Sequence, residues 1–251
     1  MILAGDIGGT KTILSLLEKD ASGLLNCVQE RTFASSEYDS FDDILALFLP
    51  SEMHIDSACF GIAGPVVNQR CFATNLNWVL DGEALKAKLK TEQVRLLNDL
   101  EAMAIGMLYL QPDDFIELNP EAKTQTGNIA VIAAGTGLGE AILHWDGEQY
   151  HPIAAEGGHC SFAPQNEQQD QLLQFLRKRF PQHVSYERIL SGNGFSHLYD
   201  FLLEQRFASN CPAVPSAAHA RESGLDRNAV ISRLGINGED ALCCEVVRLF
   251  A

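Results

Sequence analysis

One short pattern occurs twice. Ile2 to Leu14 can be set against Val131 to Leu143 at a constant offset of 129, apolar run on apolar run and glycine turn on glycine turn. Ala4 then falls on Ala133, Gly8 on Gly137, Ile13 on Ile142 and Leu14 on Leu143. Four identities in apolar segments are few, so the shared grammar carries more weight than the letters. Each copy reads as a strand, a tight glycine turn and a second strand. A chain that repeats this unit without a tandem period is expected to form two similar lobes, each offering a glycine turn to a single ligand.

The stretches between the copies fill in an α/β lobe. Ser40-Phe41-Asp42-Asp43, followed by Ile44, Leu45, Leu47 and Phe48, has helical spacing behind a capping serine, and Pro50 closes it. Ala58 to Ile62 and Val94 to Leu97 read as strands, and Asp81 to Leu89 and Leu100 to Leu110 as helices. Gln111 to Asn128 is polar and rich in turn formers, which marks it as the crossing between lobes. The expected division is therefore a small N-terminal α/β domain over 1–110 and a large α/β domain over 111–251. From Glu167 onward the spacing of Leu172, Leu173, Phe175 and Leu176, and of Leu198, Phe201 and Leu202, predicts mainly helix.

Charge narrows the partners. Lysine and arginine total 18 against 33 aspartates and glutamates, a net charge of −15. Such a field repels nucleic acid and acidic membrane surfaces, so an anionic ligand must be held by local backbone donors or a metal ion. No stretch of eighteen apolar residues occurs, and the start lacks a signal peptide's basic and apolar regions, so a cytoplasmic protein is expected. The 7 cysteines are scattered with no C-x-x-C pair, and they read as reduced packing thiols.

Against that charge, the glycine turns become the candidate anion holders, because a turn without side chains presents consecutive N–H groups to a phosphate. In Asp6-Ile7-Gly8-Gly9-Thr10, Asp6 stands at a strand end where it can hold Mg²⁺ through water, and Thr10 offers a hydroxyl. A plain hairpin turn is the alternative. Gly135-Thr136-Gly137-Leu138-Gly139 is the second such turn, and it has neither the dinucleotide-binding spacing nor a P-loop ending. Asn98-Asp99 ends a strand and opens a helix, where a carboxylate can cap the helix, accept a hydroxyl proton, or both. Glu156-Gly157-Gly158-His159 sets an acid and an imidazole on either side of a flexible turn, suited to adjacent hydroxyls, with a metal site near His151 and Cys160 as its rival. Glu187 alone reads as a solvated helix residue.

Taken in order, these residues resemble the bacterial glucokinases of the hexokinase, actin and heat-shock-chaperone superfamily. The resemblance rests on Asp6-Ile-Gly-Gly-Thr10, Gly61-Ile-Ala-Gly-Pro65, Thr74-Asn75 with Trp78, Leu97-Asn98-Asp99, Gly135-Thr-Gly-Leu-Gly139, Glu156-Gly-Gly-His159 and Glu187-Arg-Ile-Leu-Ser-Gly192. It implies a two-lobed actin-like ATPase (ribonuclease H-like) fold with mixed sheets, flanking helices and a cleft between the lobes. It further implies ATP-dependent phosphorylation of the 6-hydroxyl of glucose, with Asp99 as catalytic base. Asn75, Asn98, Glu156, His159 and Glu187 would hold the sugar. Asp6, Gly8, Gly9, Thr10, Gly135, Thr136 and Gly137 would face the phosphates and Mg²⁺. The implied partners are glucose and ATP, and a homodimer is admitted.

One departure bears on activity. Members of the family continue past the point matching Phe250-Ala251 with a further Gly-Gly turn, whereas here no Gly-Gly pair follows Gly158. The expectation is a chain lacking the family's C-terminal segment, with glucose binding kept and kinase activity weak or absent. The rival in another class is a non-catalytic sugar sensor of the same fold. Such sensors carry a DNA-binding module ahead of the first strand, which here begins at residue 2.

Overall fold

The computed structural model describes residues 1–251 apart from Ser22, Ser51, Thr74, Asn75 and Thr124. Its contacts group into two compact units, Met1–Ile129 with Ile142–Ala154, and Ala130–Ala141 with Ala155–Ala251. The boundary read near residue 110 falls inside the first unit.

The first unit begins with β1 (Ile2–Ile7) and β2 (Lys11–Lys19), an antiparallel pair joined by a three-residue turn. The antiparallel ladder continues into β3 (Leu25–Ala34), whose largely exposed, polar face carries no alternation that would reveal it in sequence. Ser40 caps α1 (Phe41–Phe48) with a reciprocal box: its hydroxyl accepts from the Asp43 N–H while the Asp43 carboxylate accepts from the Ser40 N–H. Then follow β4 (Ser57–Ile62), three short strands β5 (Val66–Val67), β6 (Arg70–Phe72) and β7 (Val79–Asp81), α2 (Gly82–Leu89) capped by Asp81, β8 (Val94–Asn98) and α3 (Asp99–Met107).

β4 lies parallel to β1, and β8 parallel to β4, so the main sheet has the order β3-β2-β1-β4-β8. β5, β6 and β7 form their own small antiparallel sheet. Leu3, Ile7, Leu14, Leu16, Phe60 and Ile62 of the main sheet are buried in one core with Phe41, Ile44, Leu45 and Phe48 of α1. Gly5 makes room for that packing, since a Cβ there would meet the Phe60 ring at 2.7 Å and Leu14 at 2.8 Å.

A third sheet, ordered β11-β10-β9, consists of β9 (Ile129–Ala134), β10 (Leu138–Trp145) and β11 (Tyr150–Ala155). β1 ends at Ile7 and β9 at Ala134, while β2 opens at Lys11 and β10 at Leu138, so the two hairpin turns correspond at an offset of 127. Gly8 therefore stands where Gly135 does, not Gly137. The sequence offset of 129 slips by two residues because a two-residue step leaves alternating side chains of a strand on the same face.

The second unit is otherwise helical: α4 (Glu167–Arg179), α5 (Gly192–Glu204), α6 (Ala217–Ser223), α7 (Arg227–Ile236) and α8 (Ala241–Phe250). Their inward faces make a separate core around Leu172, Leu176, Leu198, Phe201, Ile231 and Leu242. Among the described residues, no helix is long and apolar enough to cross a membrane.

Candidate functional site

In the first unit, the carboxyl ends of β1 and β8, on either side of β4, carry the polar residues. Asp6 lies exposed on β1, in register with the side-chain-free Gly61 of β4. The turn beyond it is braced from behind by Ser35. The Ser35 hydroxyl donates to the Gly8 carbonyl at 2.8 Å, its N–H donates to the Thr10 carbonyl at 3.0 Å, and its oxygen lies 3.0 Å from the Thr12 hydroxyl. Ser35 and Thr12 are fully buried, so this strut sits where water does not compete. Thr10, at the tip, is exposed.

Asn98 and Asp99 join β8 to α3. Asn98 caps the helix by accepting from the Leu100 N–H at 3.0 Å, and its amide donates to the Gly64 carbonyl at 3.2 Å. Glu101 closes the box by accepting from the Asn98 N–H at 3.0 Å. The capping reading of this pair holds: the asparagine is the helix cap, and it leaves Asp99 as the first residue of α3. Gly61 permits the close approach of α3, since a Cβ there would touch Ala102 at 3.0 Å.

Partial burial pushes the Asp99 carboxyl above the usual carboxylate range, against the Leu100 N–H bonded to it, and the negative charge of Asp6 adds to the rise. A half-buried carboxylate made more basic than its neighbours in solution is a better proton acceptor.

In the second unit, the turn Gly135-Thr136-Gly137 is closed by the Gly135 N–H donating to the Gly137 carbonyl at 2.9 Å, and the Gly135 carbonyl accepts from the Gly192 N–H at 2.8 Å. The two glycines have different reasons to be glycine. A Cβ at Gly135 would meet nothing within 4 Å, which leaves that face open to an incoming group, whereas one at Gly137 would meet the Glu187 carboxylate at 2.5 Å.

Glu187 is not a solvated helix residue. It sits in a 3-10 turn (Tyr186–Arg188), and its Oε2 accepts from the Leu138 N–H at 3.1 Å. The Glu156-Gly-Gly-His159 segment is not a flexible turn either. Gly157–His159 is a 3-10 turn with Gly158 buried, and neither glycine has a positive φ. They are small because space is short: a Cβ at Gly157 would run into the Glu140 carboxylate, and one at Gly158 would lie 2.2 Å from the Leu138 carbonyl oxygen.

The two 3-10 turns are latched together by the Tyr186 N–H donating to Cys160 O at 3.1 Å and by edge-on packing of Phe162 on Tyr186. The latch gathers three side chains predicted to act together. His159 Nε2 lies 3.6 Å from Glu156 Oε2, and His159 Nδ1 lies 3.9 Å from Glu187 Oε1. These separations leave polar atoms of all three free to grip hydroxyl groups. The metal rival loses His151, which pairs with Asp146 instead. Asn75 lies outside the described residues.

Sequence reasoning passed over Ser35, Glu101 and Glu140 at these sites. Ser35 and Glu140 carried no sequence signal as site residues, whereas Glu101 had one, as the third residue after an Asn cap.

Comparison with known proteins converges on one family. A family model described as glucokinase matches residues 3–251. A curated glucokinase from Nostoc sp. is 38% identical over 263 residues, covering 100% of this chain and 76% of that protein. The crystal structure of a glucokinase from an Antarctic psychrotroph superposes with a TM-score of 0.79 at 30% identity, covering 99% of this chain and 74% of that one. A glucokinase of the ROK family from Streptomyces griseus, solved with glucose and AMPPNP, shares the fold at a TM-score of 0.56 and 18% identity, over 99% of this chain and 75% of that one. The α/β architecture is thus that of the actin-like ATPases, and with the family model spanning nearly every residue, the chain belongs to the glucokinase family.

Proposed function

We propose that the residues of this chain serve transfer of the γ-phosphoryl group of ATP to the 6-hydroxyl of glucose, giving glucose 6-phosphate and ADP, with turnover weak in these 251 residues alone and its rates measured in a version extended to the length of the relatives. The observation that carries the proposal is Asp99, a half-buried carboxylate with raised basicity at the carboxyl end of β8, held at the start of α3 by its Asn98 cap. In the proposed step the 6-hydroxyl donates its proton to Asp99 as its oxygen attacks the γ-phosphorus, and the bond to the ADP oxygen breaks. Asn98, Glu156, His159 and Glu187 hold the other hydroxyls. Each such hydrogen bond contributes a net of about 0.5–1.5 kcal/mol, and more with a charged partner, so several are needed for a ligand with little apolar surface. Asn75 is proposed to join them.

Gly8, Gly9, Thr10, Gly135 and Thr136 are proposed to face the phosphates, while Gly137, also expected there from the sequence, is left small for the Glu187 carboxylate. Asp6 suits Mg²⁺: it is an exposed oxygen donor whose charge already acts on the Asp99 carboxyl, and hard divalent ions prefer such oxygen ligands, often through water. When bound, the ion neutralises charge on the β- and γ-phosphate oxygens. The reading carries with it a cytoplasmic enzyme with no nucleic-acid or membrane partner, and it admits a homodimer.

Titration calorimetry with glucose and a coupled assay with glucose, ATP and Mg²⁺ test the proposal together. Glucose is expected to bind. Asp99→Asn is expected to keep that binding and lower kcat by about 10²–10⁴, the span for losing a general base. His159→Ala is expected to raise the glucose KM more than it lowers kcat. Absence of glucose binding, or an unchanged rate in Asp99→Asn, overturns the reading.

A further inference from the structure

The second unit holds a group of donor side chains that no part of the kinase reading uses. Among the described residues, Cys211, Asp240 and Cys243 place two sulfurs and a carboxylate oxygen within 4.8 Å of one another. They come from two separate pieces of chain, the segment between α5 and α6 and the start of α8. Cys211 and Cys243 are buried, and Asp240 is only partly so.

We propose that Cys211, Asp240 and Cys243 form a binding site for a thiophilic divalent metal ion, with zinc as the best match. Two sulfurs and one carboxylate suit a borderline-soft ion, whereas Mg²⁺ and Ca²⁺ require sets made wholly of oxygen. The size is also right. Zinc–sulfur bonds of about 2.3 Å in a tetrahedron put two sulfurs about 3.8 Å apart, so small side-chain rotations close the observed spacing around an ion. Three protein donors leave a fourth position for a water molecule.

The donors are held in place by bonds of their own. Asp240 caps α8 by accepting from the Cys243 N–H at 2.9 Å. Gly238, at a φ of 71°, turns the chain from α7 into that cap. At the other end, the Cys211 N–H donates at 2.9 Å to the hydroxyl of Tyr199, which is 1% exposed and itself donates to Asn210 at 2.9 Å. Such outer contacts orient metal ligands before the ion arrives. A free thiol carries one S–H proton, and a metal takes the sulfur as the thiolate. Metal binding replaces the two S–H protons: the ion forms two metal–sulfur bonds and one metal–oxygen bond, and two protons pass to solvent.

The test uses the full 251-residue chain, reduced and freed of metal with a chelator. Added Co²⁺ is expected to give the intense near-ultraviolet charge-transfer band of cobalt–thiolate bonds together with the visible bands of a tetrahedral site. Zn²⁺ is expected to abolish both, and Zn²⁺ added to the metal-free protein to release about two protons per ion bound. Cys211→Ser and Cys243→Ser are expected to lose the band. Cys244→Ser is expected to keep it, because that sulfur points to the Gly235 carbonyl instead. Asp240→Asn, which preserves a cap-forming side chain, is expected to weaken cobalt affinity by roughly 10- to 100-fold, and it carries the comparison if a serine variant fails to fold. Absence of the band in the parent protein, a band that survives in folded Cys211→Ser or Cys243→Ser, or unchanged affinity in Asp240→Asn overturns the proposal.

Discussion

At Gly158 one added methyl group should damage both the fold and the side chains gathered around His159. The alanine Cβ would lie 2.2 Å from the Leu138 carbonyl oxygen, 3.0 Å from Leu138 Cβ and 3.1 Å from the Leu138 carbonyl carbon. Two of these are backbone atoms that cannot rotate aside, so relief requires the Gly157–His159 turn and the start of β10 to separate by about 1 Å to reach normal contact. That movement pulls on the Leu138 N–H, which donates to Glu187 at 3.1 Å. Overpacking of about 1–3 kcal/mol and a compromised, part-buried hydrogen bond of about 1–3 kcal/mol together give a loss of roughly 2–6 kcal/mol. At about 2–4 °C per kcal/mol for a chain of this size, the melting temperature should fall by several degrees or more.

His159 rides on the same turn, so its spacing to Glu187 changes and glucose affinity should drop by about tenfold or more, equivalent to about 1.4 kcal/mol. The assay is a thermal melt with glucose titration by calorimetry, run beside Gly127→Ala, where a Cβ would meet nothing within 4 Å and no effect is expected. If Gly158→Ala melts and binds as the parent does, the close packing that explains this glycine is wrong.

Asp99→Asn should lose catalysis without losing stability. A carboxyl whose folded pKa is raised binds more protons in the native than in the unfolded state, so its contribution to stability is present at low pH and is lost as pH rises from the unfolded value through the folded one. Denaturant midpoints should therefore show Asp99→Asn at least as stable as the parent at pH 7, with the relative advantage shrinking below pH ~4; a large loss of stability at pH 7 would contradict the burial argument. Ser35→Ala strands the fully buried Thr12 hydroxyl and removes the donor to the Gly8 carbonyl, and should cost about 1–3 kcal/mol in chemical denaturation. An unchanged midpoint would mean that the strut is not strained by its loss. In α3, Gly106 has open space where a Cβ would go, and Gly106→Ala should stabilise the protein by about 0.5–1 kcal/mol, a gain seen as a raised melting temperature.

The local devices were legible because they are written in adjacent letters. Ser40 forms the cap expected of it, and Asp43, three residues on, closes that cap from the other side. Asn98 ends a strand and caps a helix, as its place between an apolar run and a helical spacing demands. What adjacency does not encode is harder. β3 lies at the edge of its sheet with most of its side chains in solvent, so the alternation that betrays a half-buried strand is missing. Ser35 and Glu187 matter through partners 27 and 49 residues away, at distances along the chain where no spacing rule applies. Glu187 came into view only through its resemblance to a family motif.

The paired hairpins show the limit most sharply. Their existence could be read from apolar runs flanking glycine, but their alignment could not, because residue identity rewards any shift that keeps faces in phase. Matching Gly8 to Gly137 assigns both the same duty, facing a phosphate. The structure instead sets Gly8 beside Gly135 in the correspondence, and leaves Gly137 small so that Glu187 can reach the Leu138 N–H. One glycine of the second turn thus borders open space, where a phosphate is proposed to sit, and the other makes room for a side chain proposed to bind the sugar. A Gly135→Ala substitution then adds its methyl group to open space and should harm phosphate binding while sparing the melting temperature, whereas Gly137→Ala displaces Glu187 and should weaken glucose binding. Calorimetry with glucose and with ATP on both variants separates the two duties, and identical binding profiles would show that the distinction drawn from packing is false.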